Sequence, residues 1–237
     1  MNNKKGKIIV IDGLDGSGKN TQAKIIVEKL IAKGKNARLF SFPNYESDSS
    51  KPVQMCLGGK ISKNMDDINP YIAASLYAVD RSINFIKEMK KFLDESENNI
   101  AVCDRYISSN ILHQSPRIEE KEDREDFIDW CYVQEADKFG VYLEDICIIL
   151  SVHPDVSQKL MDERYNNDDS KKDIHESNRN YLKHCYDTMK ESIDFIKNEL
   201  NYNWHLIDCC DSENKGIRKI ASISNDIDII LDKFLLN

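Results

Sequence analysis

The feature that most constrains the fold of this chain is an apolar run that leads straight into a glycine-rich turn. The run and the turn read Ile8-Ile9-Val10-Ile11 and then Gly13-Leu14-Asp15-Gly16-Ser17-Gly18-Lys19-Asn20-Thr21. This order predicts a strand, a loop whose backbone N–H groups bind phosphate, and a helix whose N-terminus adds its positive dipole end. Lys19 is then expected to reach the terminal phosphates of a nucleotide. The alternative interpretation is a glycine turn that arose there by chance.

The residue after the lysine departs from the usual phosphate-loop pattern. That position is normally Ser or Thr, whose hydroxyl binds Mg²⁺, whereas here it is Asn20. The amide oxygen of Asn20, or a water, is expected to take the place of the hydroxyl. We predict Asn20 and Asp104 as the metal ligands of the site.

Length and charge limit the classes of protein to which the chain can belong. Its 237 residues suit one domain with a full core, or two small domains, and its net charge of -8 argues against binding of nucleic acid polymers. A nucleotide substrate remains compatible with this charge, because a cleft needs only a few focused cations. No run has the length of a signal core or a membrane span, so we expect a cytoplasmic protein without a membrane partner. The seven cysteines form no CxxC pair and are expected to be buried thiols.

Apolar β-branched runs alternate along the chain with helical patterns. The predicted strands span residues 8–12, 37–42, 100–104, 146–152 and 204–208. The predicted helices span residues 19–33, 70–94, 108–114, 122–138, 155–164, 176–199 and 215–235. Because the strands are almost continuously apolar, they predict a parallel sheet that is buried on both faces. The expected fold is therefore α/β, a doubly wound five-stranded parallel sheet with ligands at the carboxyl ends of its strands.

A polar segment interrupts this alternation between two predicted helices. It reads Tyr165-Asn166-Asn167-Asp168-Asp169-Ser170-Lys171-Lys172 and has no periodicity. Its cations and its place after the fourth strand favour a lid, over about 164–176, that closes on phosphates. A plain connection between two helices is the alternative.

One predicted helix carries an aromatic ring beside a cation. Tyr77 and Arg81 are four residues apart, so they share a helix face that suits a nucleoside monophosphate. The alternative places Tyr77 in the core and pairs Arg81 at the surface with Asp80 or other acids.

A charged pair, Asp104-Arg105, ends an otherwise apolar strand. Burying such charges is costly unless they are paired or used, so the pair is a candidate for chemistry, with a structural ion pair as the alternative. The polar residues that follow at helical spacing are Ser109, Asn110, His113 and Gln114. Their amide and hydroxyl groups suit the edge of a nucleotide base.

Together these segments resemble the thymidylate kinases, a branch of the P-loop nucleoside monophosphate kinases. The matching segments, in family order, are 13–22, Phe42-Pro43, 76–81, 104–114, and the step from Asp173 to Glu176. The resemblance implies a single P-loop NTPase domain of the nucleoside monophosphate kinase type over 1–237, with a small lid. It also implies ATP and dTMP as substrates, Mg²⁺ as cofactor, and a homodimer formed through helices near the acceptor site.

The resemblance also assigns roles to individual residues. ATP would be bound by Gly13, Asp15, Gly16, Ser17, Gly18, Lys19, Asn20 and Thr21. The acceptor dTMP would be bound by Asp15, Phe42, Tyr77, Arg81, Arg105, Ser109, Asn110, His113 and Gln114. The catalytic residues would be Lys19, Arg105 and Arg164, with Lys171 or Lys172 as further lid cations. In this scheme Tyr77 stacks on thymine, and Asp15 contacts the 3′-hydroxyl of the acceptor.

Several positions differ from the family pattern and keep alternatives open. Tyr45 stands where many relatives have arginine, His113 where Tyr or Phe usually discourages a 2′-hydroxyl, and Ile174 where the lid usually has arginine. A deoxynucleoside kinase is one alternative, in which Asp104 would act as a base. A nucleotide-binding paralogue without turnover is another. A regulatory GTPase is disfavoured because the chain has no Asn-Lys-x-Asp motif.

Overall fold

Five parallel strands form the centre of the described structure. Their bounds are β1 (Lys7–Asp12), β2 (Asn36–Ser41), β3 (Asn99–Asp104), β4 (Ile146–Ser151) and β5 (Trp204–Asp208). The strand order is β2-β3-β1-β4-β5, so β1 pairs with both β3 and β4. The computed structural model describes residues 4–164, 178–213 and 215–236.

The two faces of the sheet are covered by separate apolar clusters. Alternate residues of β1 point to opposite faces, as the pleat of a strand requires. Ile8 and Val10 belong to one cluster, whereas Ile9 and Ile11 belong to the other, and all four are fully buried. The apolar run is therefore explained by burial on both faces, and the predicted doubly wound α/β fold is confirmed.

Helices cover both faces of the sheet. The longer ones are α1 (Lys19–Ala32), α2 (Lys51–Leu57), α3 (Pro70–Asn84), α4 (Lys90–Glu95), α5 (Ile107–Gln114), α6 (Lys121–Tyr132), α7 (Pro154–Arg164), α8 (Arg179–Asn198) and α9 (Ile220–Leu236). Single π-helical turns, Phe85–Met89 and Val133–Lys138, follow α3 and α6. The side chains of α1 and α9 pack on one face, and those of α5, α6 and α8 pack on the other.

All five predicted strands are confirmed, and each begins and ends within one residue of its predicted bounds. The predicted helix start at residue 215 is wrong, because the chain first folds back on itself. Cys210 and Ile217 form an antiparallel bridge, and the carboxylate of Asp211 accepts hydrogen bonds from the backbone N–H groups of Glu213 and Lys215. The helix therefore begins only at Ile220. The predicted start of the preceding helix at residue 176 lies outside the described residues.

Two further observations concern the cysteines and the helices. All seven cysteines are free and buried, as predicted. Within the described ranges, no helix has both the length and the apolar character needed to cross a membrane.

The order of the strands determines where a ligand can bind. β1 lies at the switch point of the sheet, where the chain winds outward in two directions, and such sheets bind ligands beyond the carboxyl ends of their strands. The loop after β1 and the residues after β3 and β4 meet at that edge.

Candidate active site

The loop between β1 and α1 has the conformation of a phosphate-binding loop. Gly13, Gly16 and Gly18 have φ angles of 148°, 77° and 81°, which residues with side chains adopt at a cost. A Cβ atom on Gly13 would lie 2.4 Å from the carbonyl oxygen of Leu150, so the loop fits against β4 only with glycine there. Because Gly18 precedes α1 and has no side chain, the first N–H groups of that helix are left for a bound anion.

Lys19 is buried at the start of α1 and folds back over the loop. Its Nζ donates to the carbonyl of Leu14 at 3.3 Å and lies 3.6 Å from a carboxylate oxygen of Asp15. Burial, and then the charge of Arg105, lowers the pKa of Lys19, whereas Asp15 opposes that shift. A phosphate group at the loop would give this desolvated ammonium a full counter-charge.

Asn20 and Asp104, the two predicted metal ligands, lie in direct contact. The side-chain nitrogen of Asn20 donates to Oδ2 of Asp104 at 2.7 Å. The other oxygen of Asp104, Oδ1, is buried and has no hydrogen-bond partner among the described residues. Within those residues, no cluster of three His, Cys, Asp or Glu side chains has the geometry of a metal site. The pair therefore fits Mg²⁺, which usually binds through one or two carboxylates, substrate phosphates and water.

Asp12, at the end of β1, was not predicted as a site residue. It binds both the phosphate loop and the start of α5. It is fully buried, and one carboxylate oxygen accepts hydrogen bonds from the hydroxyls of Ser108 and Ser109 at 2.6 and 2.7 Å. The other oxygen accepts from the backbone N–H of Gly13 at 2.8 Å. Asp12 thereby joins the first glycine of the phosphate loop to the start of α5. An acidic residue at the end of an apolar strand was the available signal.

A cavity opens beside the phosphate loop and collects every residue predicted to bind the acceptor. Its lining comprises Asp15, Phe42, Pro43, Tyr45, Leu57, Tyr77, Arg81, Arg105, Ser109, Asn110, His113 and Gln114. Pro43, Tyr45 and Leu57 were not predicted as acceptor contacts. About 510 Å³ of space free of atoms lies there, including the open mouth.

Arg105 joins this cavity to the phosphate loop. It follows β3 with a φ of 69°, an uncommon conformation for a residue with a side chain. Its Nη2 donates to the carboxylate of Asp15, and its Nη1 lies 3.2 Å from Nε2 of His113. Although burial opposes it, the carboxylates of Asp15, Asp12 and Asp104 raise the pKa of Arg105. This guanidinium is therefore a permanent cation between the loop and the cavity.

Arg81 is fixed by a buried ion pair, which corrects the alternative that placed it at the surface beside Asp80. Its Nε lies 2.6 Å and its Nη2 3.1 Å from the two carboxylate oxygens of Glu135. Both residues are almost completely buried. Asp80 instead accepts from the backbone of Asn44 and the hydroxyl of Ser49. Breaking such a buried pair costs about 3–5 kcal/mol, because the remaining charge is uncompensated.

Two amide side chains line the cavity in fixed orientations. The nitrogen of Asn110 donates to the carbonyl of Ala74 and to Glu135, both at 3.2 Å. Its oxygen is buried and accepts no hydrogen bond from a described residue. The oxygen of Gln114 accepts from Arg117 at 2.6 Å. Asn110 therefore offers the cavity an acceptor, and Gln114 offers it a donor.

His113 lies at the buried side of the cavity and is neutral at physiological pH. Burial, helped by the charges of Arg105 and Lys19, lowers its pKa from 6.5 to about 4, against the opposing carboxylates of Asp15 and Asp12. Its backbone carbonyl also accepts a hydrogen bond from the hydroxyl of Tyr181 on α8.

Aromatic rings form the remaining walls of the cavity. Phe42 is buried, and its ring lies 5.8 Å from that of Tyr106, while the guanidinium of Arg81 lies 5.6 and 5.4 Å from the two rings. Tyr77 is half-buried on α3, and Tyr45 is exposed at the mouth. Both are cavity residues, so the alternative that placed Tyr77 in the core is not favoured.

The predicted lid lies mostly outside the described residues. Arg164 is the last residue of α7. Lys171, Lys172, Asp173, Ile174 and Glu176 lie outside the described residues.

Comparison with known proteins agrees with this geometry. Residues 11–206 match a family model described as thymidylate kinase. A thymidylate kinase of Plasmodium falciparum is 27% identical over 227 residues, which cover 94% of this chain and 89% of that protein. One of Schizosaccharomyces pombe is 29% identical over 155 residues, covering 65% of this chain and 64% of that one. A solved thymidylate kinase structure from Candida albicans superposes with a TM-score of 0.67 at 18% identity, over 97% of this chain and 92% of that chain.

Proposed function

This chain belongs to the thymidylate kinase family, and we propose that it transfers the γ-phosphoryl group of ATP to dTMP, giving ADP and dTDP. The observation that carries the proposal is the position of Arg105. It links the phosphate loop, through Asp15, to a cavity that holds all nine predicted acceptor residues. Donor and acceptor phosphates would therefore meet beside one fixed guanidinium.

The two ends of the acceptor cavity differ in charge. Arg105 donates to the carboxylate of Asp15 in the phosphate loop, so it lies at the end of the cavity nearest that loop. Arg81 is neutralised by Glu135, and Asn110 binds the same carboxylate. We infer that the acceptor phosphate lies at Arg105 and that the base lies at Arg81 and Asn110, with Tyr77 against its face.

The polar groups at the base end complement a pyrimidine-dione. Thymine presents an oxygen, an N–H and a second oxygen along its edge. The cavity offers the oxygen of Asn110 as an acceptor, and the nitrogens of Gln114 and Arg81 as donors. A site that provides hydrogen bonds for one pattern rejects a mismatched base, because its own buried groups are then left unpaired.

Phosphoryl transfer at this site requires alignment and charge neutralisation more than a base. The acceptor monoester has a second pKa near roughly 6, so it is mostly dianionic at neutral pH. A phosphate oxygen of dTMP attacks the γ-phosphorus of ATP, the bond to the β-phosphate oxygen breaks, and ADP leaves. Lys19, Arg105 and the N–H groups of the loop would stabilise the charge that spreads over the transferred group.

The chemistry that Mg²⁺ supplies in such a site is neutralisation of the β- and γ-phosphate oxygens. Asp104 and Asn20 would hold it, since they provide a buried carboxylate oxygen and an amide at the start of α1. Arg164 and the lid lysines remain proposed further cations.

We also propose that the chain forms a homodimer through the helix that runs from α3 through the π turn into α4. Ile72, Val79, Ile83 and Ile86 recur on one face of this helix and are 56, 41, 39 and 66% exposed. An exposed apolar stripe of this kind is typical of an interaction surface. Sedimentation of the wild type and of Ile83→Glu tests the proposal: a dimer that the substitution converts to monomer supports it.

A single assay separates the proposed function from its rivals. ADP release is followed with dTMP, dUMP, UMP, dCMP and thymidine, with and without Mg²⁺. The proposal expects the highest kcat/KM with dTMP and none with thymidine, since Arg105 has no phosphate to bind there. A preference for thymidine would support a deoxynucleoside kinase, and ATP binding without transfer to any acceptor would support a paralogue without turnover.

A further inference from the structure

Glu135 contacts two acceptor-site residues without lining the cavity itself. It lies in the π-helical turn Val133–Lys138 after α6 and is fully buried. Its Oε2 is bound by Nε of Arg81, while Oε1 is bound by Nη2 of Arg81 and by the side-chain nitrogen of Asn110. One carboxylate therefore fixes a guanidinium and an amide that both face the base end.

The carboxylate determines which atoms of these two residues are left for a ligand. Glu135 and the carbonyl of Ala74 are acceptors only, so the nitrogen of Asn110 must face them and its oxygen must face away. That oxygen is buried without a hydrogen bond to a described residue. On Arg81, Nε and Nη2 are occupied, and Nη1 forms no hydrogen bond within the described ranges. The cavity thus receives an acceptor from Asn110 and a donor from Arg81.

We propose that Glu135 is a positioning residue that makes the site selective for pyrimidines with an N3–H group, thymine and uracil, over cytosine. This rests on the proposed function, and deepens it by assigning the choice of base to a residue outside the cavity. Cytosine presents an acceptor at N3 and an amino group at C4. It would therefore set an acceptor against the oxygen of Asn110 and a donor against Nη1 of Arg81.

The burial of Glu135 and Arg81 makes this selection strong. Glu135 and Arg81 are 0 and 1% exposed, so water cannot replace a missing hydrogen bond there. Glu135 and the carbonyl of Ala74 together hold the nitrogen of Asn110, so its amide turns more readily once the group at position 135 can donate. A carboxylate cannot donate, whereas a carboxamide can.

The discriminating substitution is therefore Glu135→Gln, compared with Glu135→Asp. The glutamine amide can donate to the oxygen of Asn110, which removes one of the two acceptors that hold the nitrogen of Asn110. Asn110 can then present either its oxygen or its nitrogen to the base. We expect KM for dTMP to rise by about 10- to 100-fold, as for loss of other orienting partners, while KM for ATP stays within about twofold. The ratio of kcat/KM for dTMP to that for dCMP falls at least about tenfold. Glu135→Asp keeps an acceptor-only group, so it retains the preference for dTMP even where its KM rises.

A matched control removes a different buried carboxylate. Glu144 binds Tyr132 and Trp204 and does not line the cavity, so Glu144→Gln is expected to change stability and leave the dTMP to dCMP ratio as it is. A merely structural role for Glu135 predicts instead that both Gln variants lower activity equally with the two nucleotides.

Calorimetric titration of dTMP and dCMP, together with the kinetics, distinguishes a failure of the role of Glu135 from a failure of the proposed function. If the wild type binds and phosphorylates dTMP but Glu135→Gln keeps its preference, the role of Glu135 is overturned and the proposed function stands. If the wild type neither binds nor phosphorylates dTMP, both are overturned. Should Glu135→Gln fail to fold, Glu135→Asp remains decisive, because loss of the preference in that variant overturns the proposal.

Discussion

Arg105 donates a hydrogen bond to the carboxylate of Asp15, although the two residues lie 90 positions apart in the chain. Asp15 belongs to the phosphate loop after β1, and Arg105 follows β3, the neighbouring parallel strand. The sheet thus brings the phosphate loop and the cavity together, and the ion pair of Asp15 and Arg105 joins them.

Replacement of Arg105 tests this junction. Arg105→Gln removes the cation beside the transferred group, and we expect kcat/KM for dTMP to fall by about 10²- to 10³-fold, as for loss of other donors to developing charge. Arg124→Gln is the matched control, because Arg124 does not line the cavity and binds Glu191 and the carbonyls of Ile118 and Glu119 instead. Equal activity of the two variants would contradict the role of Arg105.

The buried His113 predicts a dependence of stability on pH. Its pKa is lowered from 6.5 to about 4, so the unfolded chain binds a proton between these values that the native protein does not. Stability that is present above pH 6.5 is therefore lost as the pH falls towards 4, by about 3 kcal/mol from this residue. Urea unfolding at about pH 7 and about pH 4.5 measures the loss, which should be smaller in His113→Asn. Identical losses in both proteins would show that His113 is not responsible.

Asn20→Thr tests the proposed Mg²⁺ ligands. The substitution frees Asp104 from the Asn20 amide and supplies a hydroxyl, so the half-saturating Mg²⁺ concentration is expected to fall by about tenfold. Calorimetric titration of Mg²⁺ with ADP present measures the affinity for Mg²⁺ without turnover. Asn20→Ala is the control, since it frees Asp104 but adds no ligand. Unchanged or weaker Mg²⁺ binding in Asn20→Thr would refute the assignment.

Gly13→Ala tests the close contact between the phosphate loop and β4. Its Cβ would lie 2.4 Å from the carbonyl oxygen of Leu150 at a φ of 148°, so we expect a loss of about 2–4 kcal/mol of stability and weaker ATP binding. Gly34 also has a positive φ, but a Cβ there meets nothing within 4 Å. Gly34→Ala should therefore cost about 1 kcal/mol and leave ATP binding intact. Chemical denaturation and ATP titration of both variants decide the point.

The sequence was most informative where burial is uniform. The strands are apolar because both faces of the sheet are covered, so their ends could be predicted to within one residue. Short helices such as Asp48–Ser50 and Lys51–Leu57 were missed, because they are stabilised by local caps and packing rather than by a long apolar period. The fold-back at Cys210 and Ile217 depends on a contact that a helical pattern cannot reveal.

The residues of the candidate site could likewise be predicted only where a motif marks them. Residues next to recognisable motifs, such as Lys19 and Arg105, could be identified from spacing and resemblance. Glu135 could not, because its partner Arg81 is 54 positions away and a glutamate within a polar helix looks like a solvated residue. Asp12 was missed because its hydroxyl partners follow the β3 strand.

The most direct test of the central claim is ³¹P NMR of the wild-type protein with ATP, Mg²⁺ and either dTMP or thymidine. The account predicts that the dTMP signal is replaced by the two phosphorus signals of dTDP, in step with the formation of ADP, and that thymidine gives no phosphorylated product. Formation of dTMP from thymidine, or absence of dTDP while ATP binds, would contradict it.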